Sequence, residues 1–529
     1  MKPETPERWP GGSLARLLLV GLVLNALLIL PAWWRDGAIG SVWLAPEAWL
    51  LPALLALFPA GRAGRATGFV VAILLAFLIV AGAFDGLVRS VLGRPLNVFV
   101  DPLMLRAGFH LIEGSVGWWA ALLASVLVAL AAVAVAWGVW RLLRIAVAVG
   151  PGIATATASL AFVFGLAGAF QMLPGTASQL LAMAATQAGQ LEETREARSR
   201  LLRAESDPAF AARPLPGLAG RDVYVVYIES YGESLIDQPR YAGRIRPLLE
   251  RWSGRLEAAG LHALSGRLEA PIRGGQSWLS HATVLSGLPI DSQLWYRMLL
   301  ARDIDLLTDD FRATGHRTVK LAPAIVDDWP EGKQLGFDRV FAAADLNYQG
   351  PRLGWVTMPD EFTLHAFSER IRPRIDAPVY AQFALISSHW PWTPVIEPTP
   401  DPARIDEGRV YERWRGAGGD PFALLFDPPA QREAYLDSVE YALTVTFEWA
   451  RRLPDDALLL VLGDHQPTSL IAGRDAGRAV PVHAISGDRG LLAGFERRGF
   501  APGLLPPPAD EVAGLERLRH WLREDFGRE

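Results

Sequence analysis

Apolar residues gather into five long runs before residue 173: Leu17–Trp34, Val42–Ala60, Ala66–Phe84, Gly117–Trp140 and Ile145–Met172. Four of them contain no charged residue, and the second carries only Glu47, beside Pro46. A helix that crosses a bilayer needs about 20 mostly apolar residues, so the pattern predicts a five-helix transmembrane domain over residues 1–172. The first run is too long for a cleaved signal peptide, and four more follow it. Lys2, Arg8 and Arg16 precede the first run, Arg62 and Arg65 separate the second from the third, and Arg141 and Arg144 separate the fourth from the fifth. All three segments fall on one side, which the positive-inside rule makes cytoplasmic. An odd number of spans then places everything after Met172 on the other side. Trp33, Trp34, Trp118, Trp119, Trp137 and Trp140 stand at run ends, as interfacial aromatics do.

The pattern changes over residues 173–216. Gln179–Leu202 is helix-forming, apolar early and charged late, with Glu196 and Arg200 at i, i+4 spacing. Pro208, Pro214 and Pro216 then break it, so this stretch reads as a juxtamembrane helix and linker. From 217 to 529 the apolar runs are short: Val223–Ile228, Thr318–Leu321, Val379–Ile386 and Leu458–Leu462. Runs of this length, apolar on both faces, predict buried parallel strands covered by helices. Helical segments are expected over Pro247–Ala259, Ala430–Arg452 and Asp510–Phe526, the first opening on a proline.

Composition narrows the function. The 529 residues hold 51 basic and 56 acidic side chains, for a net charge of −5, and no cysteine. That argues against a nucleic-acid binder, which is usually strongly basic, and excludes disulfide-stapled and zinc-ribbon scaffolds.

In open α/β sheets, ligands collect at the carboxyl ends of the strands. Glu229 follows the first predicted strand, Ser388, His389 and Trp390 follow the third, and Gly463-Asp464-His465 follows the fourth. Carboxylate and imidazole together suit a divalent cation such as Mn²⁺ or Zn²⁺. A fourth element, Gly274-Gly275-Gln276-Ser277, leads into a helix-like stretch ending at Gly287. It sets Ser277 at a helix N-terminus, where the dipole favours anionic oxygens such as phosphate. Ser277 there is either a helix cap or a nucleophile that needs a base or metal to activate it.

Glu229, Ser277, Asp464 and His465, in that order behind a membrane domain, resemble the alkaline phosphatase/sulfatase superfamily. Most similar is its membrane-anchored branch of lipoteichoic acid synthases, periplasmic-glucan phosphoglycerol transferases and lipid A phosphoethanolamine transferases. The resemblance implies a C-terminal α/β domain with a mainly parallel sheet between helices, extracytoplasmic over residues 217–529 and anchored in a bacterial inner membrane. It implies one divalent metal, Mn²⁺ favoured with Zn²⁺ or Mg²⁺ open, held by Glu229, Ser277, Asp464 and His465. It also implies a covalent intermediate on catalytic Ser277, a membrane phospholipid donor and a glycan or glycolipid acceptor. His389 matches the branch's third-strand histidine, and His281, Arg273, Trp329 and Trp390 are further substrate-binding candidates. The sulfatase maturation signal is broken, because Leu279 replaces its proline and His281 its arginine. Absence of cysteine turns the expectation from phosphoethanolamine to phosphoglycerol, although Glu331 stands where that type carries an arginine two residues after its tryptophan. A membrane-bound phosphodiesterase, phosphatase or sulfatase-like hydrolase, and a non-catalytic scaffold, stay open as alternatives.

Overall fold

The computed structural model describes residues 10–58, 61–146, 149–326, 329–418, 423–424, 426–509 and 511–527. The chain divides into two units: residues 1–90, 94–113 and 117–195 form one, and 91–93, 114–116 and 196–529 the other.

The first unit is helical: α1 (Pro10–Asp36), α2 (Glu47–Ala56), α3 (Arg62–Leu92), α4 (Leu105–Val116), α5 (Trp118–Ala146), α6 (Pro151–Ala169) and the start of α7 (Gln179–Ser206). Four of these, α1, α3, α5 and α6, are long and apolar enough to cross a membrane. The second expected span is present as α2, but with only ten residues. Pro46 precedes it and Pro52 lies inside it, and proline removes a backbone donor and crowds the preceding turn. Lys2 and Arg8, used for orientation, lie outside the described residues. Leu17, Val20 and Leu24 of α1 pack with Leu75 and Leu78 of α3 and with Val139 and Leu143 of α5. The single charge of the second run has a partner. Glu47 Oε1 accepts the N–H groups of Gln179 and Leu180 at 2.5 and 3.1 Å, so a carboxylate on α2 caps the positive end of α7.

The second unit is built on one eight-stranded sheet: β1 (Val223–Ile228), β2 (His262–Glu269), β3 (Arg317–Ala322), β4 (Arg339–Ala342), β5 (Val379–Ala384), β6 (Leu458–Gly463), β7 (Ala479–Ser486) and β8 (Ala501–Pro502). Strand order is β4-β3-β5-β1-β6-β7-β2-β8. The five strands from β4 to β6 run parallel, and β7, β2 and β8 extend the sheet with antiparallel pairings. All four expected strands are central members. Both faces are covered: Tyr224, Val226 and Ile228 of β1 enter one apolar core, while Val223, Val225 and Tyr227 enter the other. The helix expected from Pro247 begins at Pro239 and holds Pro247 inside it. Its buried face, Tyr241, Ile245, Leu248, Leu249, Trp252 and Leu256, keeps helical spacing through that proline. The helices expected over Ala430–Arg452 and Asp510–Phe526 are Pro428–Ala450 and Arg517–Phe526.

Candidate active site

β1 and β6 are neighbours in register, with Ile228 opposite Gly463. The residues that follow them, Glu229 and Asp464, therefore emerge side by side at the carboxyl edge of the sheet. Gly463 makes that approach possible: a Cβ there would lie 1.8 Å from the carbonyl oxygen of Tyr231. Ser230 takes a left-handed backbone (φ 59°), rare for a non-glycine residue. Three bonds hold it: its N–H donates to Asp464 Oδ1 (2.8 Å), its hydroxyl donates to Glu229 Oε1 (2.9 Å), and its carbonyl accepts from the Tyr435 hydroxyl (2.6 Å). Local strain is stored beside the carboxylates and overruled by its surroundings.

Ser277 arrives from the other direction. Gly274, Gly275 and Gln276 all have positive φ (79°, 144° and 68°), a sharp turn that opens directly into the helix Ser277–Ser286. Gln276 holds the cap position and Ser277 is the first helical residue, so its hydroxyl does not cap the helix. Instead Ser277 Oγ donates to Glu229 Oε2 (2.9 Å) and lies 3.2 Å from His465 Nε2. The helix has no acidic residue in its first turn, which leaves its positive end open to an anion.

Glu229, Asp464 and His465 offer ligand atoms that all lie within 4.8 Å of one another. These three residues are only 7%, 1% and 1% exposed, while Ser277 is partly exposed. Nδ1 of His465 lies 2.9 Å from the Gln466 carbonyl, which puts the ring proton there and leaves the Nε2 lone pair facing Glu229 and Ser277. Burial, and then the Glu229 charge, push the Asp464 carboxyl well above the usual carboxylate range. Burial disfavours the His465 imidazolium, but Asp464 and Glu229 outweigh it and raise its basicity. Two buried carboxylates and an imidazole with a bare nitrogen fit a divalent cation in donor type and spacing.

His389 follows β5 on the same edge. The Ser388 hydroxyl donates to the Glu229 carbonyl (2.7 Å), and Asp360 Oδ1 accepts the N–H groups of Ile386 and Ser387 (2.8 and 3.0 Å), fixing the loop that carries the imidazole. Its Nδ1 lies 2.6 Å from the Trp390 carbonyl, so Nε2 is the bare nitrogen. Burial lowers its pKa and keeps the ring neutral. Trp355 stacks on it, ring centroids 3.7 Å apart and planes 14° from parallel.

The other candidates divide. His281 is buried on the Ser277–Ser286 helix, one turn after Ser277, against the Tyr227 ring. Arg273 spends its guanidinium on the carbonyls of Arg474 and Ala476 and on the Ser469 hydroxyl, tying the turn before Ser277 to the loop after β6. Trp329 packs against the core on one face of the sheet and Trp390 against the core on the other. Sequence reasoning gave no role to Asp360, Ser388, Trp355 or Lys320. Adjacency to His389 was a signal for Ser388; the others had none.

No family model and no curated protein matches the chain. Solved structures do. The integral membrane lipooligosaccharide phosphoethanolamine transferase A (EptA) from Neisseria meningitidis aligns over 98% of this chain and 95% of its own, at 14% identity and a TM-score of 0.53. The lipoteichoic acid synthase LtaP from Listeria monocytogenes aligns over 60% and 74%, at 13% identity and 0.40. The periplasmic domain of EptC from Escherichia coli aligns over 60% and 86%, at 12% identity and 0.37. The EptA alignment, which spans 98% of the chain, shows that the chain has that protein's fold.

Proposed function

We propose that the protein transfers a phospholipid-derived headgroup, phosphoglycerol favoured, to a cell-envelope glycan or glycolipid through a covalent intermediate on Ser277. One observation carries the reading. The only partly exposed member of the cluster is a serine hydroxyl, and it hydrogen-bonds Glu229 while touching the bare nitrogen of His465. Glu229, Asp464, His465 and Ser277 would hold one divalent cation, Mn²⁺ favoured over Zn²⁺ or Mg²⁺, which when bound lowers the pKa of a hydroxyl and polarises a phosphoryl group. On this reading the site lies on the outer side of a bacterial inner membrane, where donor lipid and acceptor meet, with α2 counted as the fifth crossing beside the four long helices.

Ser277 Oγ attacks the headgroup phosphorus, the O–P bond to serine forms, the bond to diacylglycerol breaks, and the serine proton leaves with the alcohol. An acceptor hydroxyl then attacks the same phosphorus and frees the serine. The positive end of the Ser277–Ser286 helix stabilises the phosphoryl oxygens. His389, neutral with its lone pair on Nε2, accepts a hydrogen bond from the incoming hydroxyl. Trp355, stacked on that ring, keeps it from turning. Arg273 holds the nucleophile turn through the loop after β6.

Intact-mass analysis of the full chain incubated with phosphatidylglycerol tests this. A glycerophosphate adduct on Ser277, absent in Ser277→Ala, is expected. No adduct with any phospholipid refutes the covalent route. An adduct whose radiolabel ends in free solution instead of on a glycan identifies a hydrolase.

A further inference from the structure

Lys320 is one of three lysines among the chain's 51 basic residues. It stands in the middle of β3 and is 1% exposed. Among the described residues no carboxylate pairs with it. Its Nζ lies 3.1 Å from His281 Nδ1 and 3.1 Å from Gln382 Oε1, and within 6 Å of the Tyr227 and Phe337 ring centroids (5.6 and 5.7 Å). Gln382 sits opposite Lys320 in the β3–β5 register and donates its amide to the Tyr380 hydroxyl at 2.7 Å, which turns its carbonyl oxygen to the lysine. Two neutral acceptors and two aromatic faces thus surround a buried amine.

His281 is clamped between this amine and the Tyr227 ring, centroids 4.1 Å apart. Its other nitrogen, Nε2, is buried and has no hydrogen-bond partner. Two adjacent buried cations are untenable, so while the amine is charged the imidazole is neutral. Burial, then Lys320, hold the imidazole pKa far below its ordinary value, and burial brings the lysine to about 7. A lysine that donates to Nδ1 requires the lone pair there and leaves the ring proton on Nε2.

We infer that Lys320 is a positioning residue for the nucleophile helix: by donating to His281 Nδ1 it fixes the imidazole proton on Nε2 and keeps one neutral N–H donor a helical turn from Ser277. The tautomer stands on the contacts alone; that the donor serves a phosphoryl oxygen rests on the phosphoryl-transfer reading above. A buried N–H with no acceptor in the protein needs one from a ligand or water.

The test uses the full chain in detergent with ¹⁵N-histidine, read by two-bond ¹H–¹⁵N correlation at pH 6, with His281→Gln assigning the signals. Wild type is expected to show His281 protonated at Nε2, and Lys320→Met to shift that proton toward Nδ1 or average the two. Lys320→Met is also expected to lower kcat about tenfold, the loss of about one hydrogen bond, with KM and metal affinity within about twofold. Wild-type His281 protonated at Nδ1 overturns the inference, and so does an unchanged tautomer in a folded Lys320→Met. If that variant does not fold, the wild-type spectrum alone decides. Should the Ser277 adduct never form, the headgroup reading fails while the spectra still report the tautomer.

Discussion

Asp360 offers the sharpest quantitative test of how the site is held. Its carboxylate is fully buried, Oδ1 receives two backbone N–H groups from the loop that leads to His389, and Oδ2 has no partner. Burial outweighs those two bonds and pushes its pKa from 3.8 to about 6. A group whose folded pKa exceeds its unfolded one stabilises the fold fully below the unfolded value, and that stability is lost as pH rises through the folded value. A difference of about 2 pH units corresponds to about 3 kcal/mol, lost between about pH 4 and pH 6. Asp360→Asn keeps an oxygen acceptor for both N–H groups and cannot ionise. Relative to wild type it is expected to gain about 3 kcal/mol between pH 4 and pH 7, a melting-temperature gap that widens by about 6 °C in a domain of this size. Thermal melts of the detergent-solubilised full chain, followed by tryptophan fluorescence at both pH values, measure it. Parallel curves for the two proteins would refute the account of Asp360 as a buried acid forced to ionise.

Cation binding has to expel the proton that the raised Asp464 carboxyl holds. Affinity measured by calorimetry is therefore expected to weaken as pH falls, by up to about tenfold per unit for one displaced proton. Asp464→Asn should flatten that dependence and lower affinity throughout. Gly463→Ala drives a Cβ against the Tyr231 carbonyl, so it should destabilise the second unit by about 3 kcal/mol or more and abolish metal binding before activity is assayed. Normal metal titration in that variant would show that β6 has room the structure denies it.

Four of the five parallel strands were legible, the short and partly exposed β4 excepted, because buried parallel strands are continuous apolar runs, and Glu229, His389 and Asp464-His465 stand where such strands end. β2 and β7 escaped for the opposite reason. His262–Glu269 mixes polar and apolar positions, and Ala479–Ser486 contains Pro481, which argues against a central strand. The quartet was assembled from chain order, but its supports depend on contacts across the sheet. Lys320 reads as one polar position in a strand until β5 and the Ser277–Ser286 helix close over it. Asp360 reads as an acidic first turn until its oxygen is seen on Ile386 and Ser387. The short second apolar helix has a visible cause in Pro46 and Pro52, and Glu47 was the sign that this run was not a plain lipid-facing span.

Hydrogen bonding also sets how many electron pairs the cluster has left to give. Asp464 Oδ1 is taken by the Ser230 and His465 N–H groups, and Glu229 Oε1 by the Ser230 hydroxyl. In the metal site proposed above, one oxygen from each carboxylate, one nitrogen and one alcohol oxygen would make a shell of four protein donors. Calcium gathers six to eight oxygens, so the cation proposed above, if held by these four donors alone, would be one content with fewer, and the backbone around Ser230 would help to set that number.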